Sequence, residues 1–180
     1  DYMKDHVTEE EINNYYKENV YGDVNSKHIL VKPDTTSDMS EDEIATKKSE
    51  AKKLAEEIIK KLNSGKTFDE VKDEYKDSIV YEELGDRAYN ASLEQNYLDE
   101  MHKLKVDEYS KTPVETSYGY HIVYKISEGK KPELKTVKDD VIDAVVKEKQ
   151  SENTKYYQET LFQIRKEANL TFKDCSLETK

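Results

Sequence analysis

A single cysteine in 180 residues, Cys175, leaves no room for an intramolecular disulfide or a multi-cysteine metal site. In a polar tail, an ordinary side chain is the default role for such a thiol. Positive charge is also short. Lys and Arg number 29 against 40 Asp and Glu, for a net charge of -11. Neutralising a phosphate backbone needs clustered cations in excess, so no nucleic acid is expected as a partner. The same acidity repels anionic surfaces, and no apolar run approaches the length needed to span a bilayer. Membrane association is therefore expected only through an anchor absent from this chain. The chain opens at Asp1 with neither Met nor a signal peptide, as expected for a mature or truncated segment of a longer precursor. Internal repeats and long low-complexity segments are missing too.

Apolar residues make up 34% and charged residues 38%, which suits a small core with long solvated helices attached. The 14 tyrosines and the regular spacing of the apolar residues argue for a folded chain. Three S/T-x-x-E capping boxes punctuate the first half: Thr8 to Glu11, Ser40 to Glu43 and Thr67 to Glu70. They predict a short helix over about residues 9–18, a long helix ending near Asn63-Ser64-Gly65, and a short helix from Phe68. Between the first two, Ser26 to Lys32 is a short apolar run closed by Pro33, which predicts a strand containing His28. A loop is expected from Asp77 to Asn90. Leu93, Tyr97, Met101 and Leu104 then predict a helix over about 93–103. Pro113-Val114 and Tyr120 to Ile126 predict two strands meeting at Gly119. This order gives an α+β domain with a small, mainly antiparallel sheet. Helix-forming sequence follows from about Glu133 to Glu167, with apolar patches at Val137, Val141, Ala144 and Val145 and at Tyr156 to Ala168. Lys147 to Lys155 between them is wholly polar.

His28 in Lys27-His28-Ile29-Leu30 and His121 in Gly119-Tyr120-His121-Ile122 both lie in apolar strand contexts. Taken alone, either histidine reads as structural. Together with Phe68-Asp69-Glu70, Glu74-Tyr75, Leu84-Gly85, Lys103-Leu104-Lys105 and Pro113 to Ile122, they make residues 24–128 resemble the parvulin family of peptidyl-prolyl isomerases. With its helical flanks, the whole chain is similar to the PrsA-like foldases, lipid-anchored proteins of Gram-positive bacteria.

The resemblance implies a parvulin-like sheet with surrounding helices, plus helical N- and C-terminal extensions. Residues 1–23 and 129–180 would belong to a chaperone module and 24–128 to the isomerase domain. It implies a catalytic network of His28, Asp77, Thr116 and His121, with Asp77 where other parvulins carry Cys or Asp. Leu84, Leu93 and Tyr97 would hold the proline ring. Neither cofactor nor metal is implied. The partners would be unfolded or partly folded secreted proteins with X-Pro bonds, met outside the cytoplasmic membrane, and a homodimer through the helical segments is compatible with it. The patch at 156–168 would find its mate in an upstream segment or in another copy of the chain.

Two departures stand out. Tyr81-Glu82-Glu83 replaces the glycine-rich start of the usual loop, and Tyr97 carries a hydroxyl where the family favours Phe. These leave room for a weak isomerase, or for a parvulin fold that binds extended polypeptides as a chaperone.

Overall fold

The computed structural model describes residues 2–153 and 155–169, so Cys175 lies outside the described residues. The described chain forms two compact units, Tyr21–Lys131 and a second made of Asp1–Val20 with Pro132–Lys180.

In the Tyr21–Lys131 unit, β1 (Val24–Val31), β2 (Val80–Arg87), β3 (Val114–Thr116) and β4 (Gly119–Glu128) form one sheet in the order β2-β1-β4-β3. Every pairing is antiparallel. Alternation along the two central strands divides their side chains between two cores. Ile29, Val31, Tyr120 and Ile122 pack with Ala55, Ile58, Leu62, Phe68 and Val71. Those partners come from a 23-residue helix over Glu41–Asn63 and a short one over Phe68–Glu74. On the opposite face, Val24 and Val123 pack with Tyr97, Leu98 and Met101 from the helix Gln95–Lys103. In chain order the helices are α1 (Tyr2–Asp5), α2 (Glu9–Asn19), α3 (Glu41–Asn63), α4 (Phe68–Glu74), α5 (Gln95–Lys103), α6 (Leu134–Glu152) and α7 (Tyr156–Glu167).

All three capping boxes form. Thr8, Ser40 and Thr67 each accept from the backbone N–H three residues on, while Glu11, Glu43 and Glu70 reach back to the cap N–H.

The segment expected to be a loop contains strand β2. Its sequence, Val-Tyr-Glu-Glu-Leu-Gly-Asp-Arg, is too charged to read as a strand because it forms the sheet edge, where charge blocks further pairing. A bulge also spoils its period of two. Ser26 pairs with Gly85 but Lys27 with Glu83, leaving Leu84 unpaired, and Gly85 takes φ +66 to make the bend.

The last helical stretch is broken, giving α6 and α7. Asn153 is extended at φ -122 and ψ 96. Its side chain accepts from Lys155 N–H at 2.9 Å and donates to Glu159 at 2.9 Å. A polar stretch with no apolar face has no packing to oppose that competition from asparagine. Within this unit Ile12, Val141 and Val145 are buried, and Lys138 and Lys149 pair with Glu9 and Glu11 at 2.6 and 2.5 Å. On α7, Tyr157 and Phe162 are exposed, whereas Tyr156, Leu161 and Ile164 are half-buried.

Gly119 opens β4 at φ +136, and a Cβ there would collide with the carbonyl of Val31. Gly119→Ala thus combines backbone strain with a steric clash against an immovable strand. A loss of about 2–3 kcal/mol is expected, visible as a fall of roughly 5–10 °C in the thermal midpoint by circular dichroism. An unchanged midpoint would mean that the β3–β4 turn is not built this way.

Candidate functional site

The face of the sheet beneath α5 carries both histidines. On β1 the residues facing α5 are Val24, Ser26, His28 and Leu30, and on β4 they are His121, Val123 and Lys125. Because Leu30 pairs with His121 and His28 with Val123, the histidines are diagonal neighbours on one face. Their ring centroids are 4.7 Å apart in an edge-to-face arrangement.

Each ring belongs to its own hydrogen-bonded group. Nδ1 of His28 lies 3.2 Å from the Tyr97 hydroxyl, which lies 3.4 Å from Oγ of Ser26. Nε2 of His121 lies 2.8 Å from Oγ1 of Thr116, which also accepts from the Tyr118 N–H at 3.2 Å. If Ser26 donates to Tyr97 and Tyr97 to Nδ1 of His28, every hydroxyl on that side is used and the His28 proton stays on Nε2. Nε2 of His28 and Nδ1 of His121 are buried without a hydrogen-bond partner.

Apart from Ser26, these residues line a cleft of about 530 Å³. Leu84, Leu93 and the ring of Tyr97 supply apolar surface, and Glu82, Glu94 and Lys32 supply charge. Leu93 sits before α5 rather than on it. Glu94 occupies the helix N-cap position without capping, because its carboxylate instead accepts from the Ser117 N–H at 2.9 and 3.0 Å and from the Ser117 hydroxyl. The far end of α5 is tied down by Lys125. This lysine is only 1% exposed, donates to the Leu104 carbonyl at 2.8 Å and pairs with Glu128 at 2.5 Å.

Of the residues singled out from sequence, the structure brings together His28, Thr116, His121, Leu84, Leu93 and Tyr97. Asp77 is not among them. It is exposed in the turn after α4, three residues before β2 begins. The register His28 to Glu82 places Glu82 beside the histidine instead, 3.7 Å from Nε2. Sequence alone also missed Ser26, and it took the Tyr97 hydroxyl for an anomaly of the pocket wall. Period-two alternation from His28 would have put Ser26 on the same face. Glu82 could be found only by recognising β2 as a strand. Among the described residues, no group of three or more His, Cys, Asp or Glu is placed to hold a metal ion.

Burial controls the protonation of the site. It pushes the His121 pKa down to about 4, with help from the neighbouring His28 and Lys32 and opposition from Glu94. His28 is lowered too, by burial against the weaker pull of Glu82. Tyr97 is raised to about 12, mainly by burial, and so remains a phenol. At neutral pH the network is uncharged and can act as donor and acceptor but not as a fixed charge.

Residues 28–127 match the family described as Rotamase, PPIC-type PPIASE domain. The chain is 30% identical over 175 residues to the foldase protein PrsA of Bacillus subtilis (strain 168), covering 95% of this chain and 52% of that protein. It is 31% identical over 182 residues to foldase protein PrsA 2 of Bacillus anthracis, covering 98% and 54%. It thus spans about half the length of these relatives. In fold, it is similar to the crystal structure of peptidylprolyl isomerase (PrsA) from Bacillus cereus, with a TM-score of 0.58 at 23% identity, over 98% of this chain and 60% of that one. No described helix is long and apolar enough to cross a membrane.

The two histidines bind protons less readily in the folded chain than in the unfolded one. Between the ordinary imidazole value of 6.5 and about 4, the unfolded chain therefore holds more protons. Their contribution to stability should be complete above pH 6.5 and decline as pH falls below it, for His121 down to about 4. In an NMR titration the His121 ring should shift with a midpoint near 4. A midpoint at or above about 6 would show a solvated ring and a different site.

Proposed function

Because the chain belongs to the PPIC-type peptidyl-prolyl isomerase family, we propose that its Tyr21–Lys131 unit isomerises X-Pro bonds in the cleft described above. The observation that carries this reading is the pair of buried imidazoles 4.7 Å apart, each with one ring nitrogen unpartnered, in a cleft with an apolar wall.

Amide resonance sets a rotation barrier of about 20 kcal/mol, so the catalyst needs no nucleophile. It must hold the twisted amide better than either planar form. Leu84, Leu93 and the Tyr97 ring would grip the pyrrolidine and keep the proline side fixed while the acyl side turns. As the amide twists, its nitrogen becomes pyramidal and basic and its carbonyl loses conjugation. A neutral His28–His121 pair can meet that change with a donor or an acceptor, at no cost of burying a charge. Ser26, Tyr97 and Thr116 hold the rings in register, as the remaining members of the network.

The same reading extends to the whole chain as a foldase. The helical unit built from both chain ends would be part of a chaperone module that receives unfolded or partly folded secreted polypeptides. It would work outside the cytoplasmic membrane, held there by a lipid anchor on the precursor of a Gram-positive bacterium, with dimerisation through its helices as a further element. The relatives' name, foldase protein PrsA, supports this reading.

Cis/trans exchange on a short X-Pro peptide, followed by NMR exchange spectroscopy with the full chain, tests the proposal. Acceleration is expected, and His121→Ala should lower kcat/KM by about tenfold or more. Leu93→Ala, which removes one wall of the grip, should weaken peptide binding about fivefold to tenfold. A peptide that perturbs the cleft resonances without faster exchange would replace catalysis with the second reading, a parvulin-fold chaperone that binds extended chains. That alternative is favoured by the one acid expected in the network, Asp77, standing outside the cleft.

A further inference from the structure

We infer that the cleft selects prolines flanked by a cationic side chain, with Glu82 as the specificity-determining residue. This rests on the reading of the cleft as the prolyl site. Two carboxylates, Glu82 and Glu94, line it against one ammonium, Lys32, and its two imidazoles are neutral at neutral pH.

The two acids are differently committed. Glu94 is held by the backbone and hydroxyl of Ser117, so its charge is fixed in place. Glu82 stands opposite His28 on the edge strand, with its side chain 55% exposed and its carboxylate 3.7 Å from Nε2 of His28. That distance is beyond hydrogen-bonding range, and the imidazole is neutral, so His28 does not compensate the carboxylate's charge. That ring nitrogen of His28 has no hydrogen-bond partner and belongs to a residue more than nine-tenths buried. A polypeptide laid across the cleft with its proline on the apolar wall would bring the neighbouring side chain within reach of Glu82. A lysine or arginine there gains a charge-assisted contact at the rim, whereas glutamate meets a like charge. The chain's net charge of -11 adds the same preference at longer range.

The test uses peptides identical except for Lys, Ala or Glu next to the proline, placed before it in one series and after it in the other. Both exchange rates and binding, read from the His28 and His121 ring resonances, are measured with the full chain. In at least one series Lys should exceed Ala by about threefold to fivefold at low ionic strength, with Glu weakest and the spread shrinking as salt is added. Glu82→Gln should flatten the order and Glu82→Lys should invert it. An order that is flat, or that Glu82→Lys leaves in place, overturns the inference. Charge-ordered binding without turnover would keep the selectivity and sink the isomerase reading. Turnover without charge order would sink the selectivity alone, and the absence of both binding and turnover would remove both.

Discussion

The pairing of β1 with β4 is the constraint on which the site depends. Leu30 opposite His121 and His28 opposite Val123 put the two imidazoles on the same face, two residues out of step, which is the spacing that lets rings meet edge to face. A slip of one residue would send one ring into the core under α3 and α4, since side chains change face at every step of a strand. The slip is opposed from both sides. Ile29 and Ile122 are fully buried in that opposite core, and Val24 and Val123 in the one beneath α5. Hydrophobic burial on both faces thereby fixes the geometry of the two imidazoles.

Keeping two imidazoles next to each other in a buried place works only while both are neutral, because two charges at that separation would repel without solvent to screen them. The fold meets this condition by burying the rings and giving them hydroxyls as hydrogen-bond partners: Ser26, Tyr97 and Thr116 bond to one another or to the rings. Tyr97 belongs to α5, and α5 is held at its C-terminal end by the buried Lys125, whose ammonium serves the Leu104 carbonyl and the Glu128 carboxylate. A cation at the negative end of a helix is favourable there, and its burial is compensated by full pairing. The position of the Tyr97 hydroxyl over His28 therefore traces back to a lysine on the same strand as His121.

How far the fold could be read from sequence follows from which interactions are local. The starts of α2, α3 and α4 were legible because a capping box closes within four residues, and β1 and β4 because central strands are apolar on both faces. Both histidines, Thr116 and the Leu84, Leu93 and Tyr97 wall were legible through their family-like surroundings. Strand β2 was not. Its charges are those of an edge, its bulge at Gly85 breaks the alternation, and its partner is some 50 residues away in sequence, as the pairing of Leu30 with Val80 shows. The error at Asp77 is the same error carried into the site: with no strand recognised there, nothing could say that the residue opposite His28 is Glu82. The break at Asn153 was hidden for a different reason, since it depends on two side-chain bonds to Lys155 and Glu159 that compete with a helix of adequate propensity.

The Tyr21–Lys131 unit also begins and ends at one place. Val24 pairs with Glu128, and the Gly129 N–H donates to the Asp23 carbonyl at 2.8 Å. A unit whose two ends are hydrogen-bonded neighbours can interrupt another without stretching it, which is the geometry that tolerates insertion. That lets segments from opposite ends of the chain form the other unit, where Lys138 reaches Glu9 across 129 positions of sequence and the Tyr16 hydroxyl donates to the Pro132 carbonyl at 2.7 Å. Folding of the helical unit is thereby linked to closure of the sheet, because the central β1–β4 ladder is what shortens the loop between its two halves. The pairing that sets the two histidines edge to face is thus also the pairing that brings the two segments of the helical unit together.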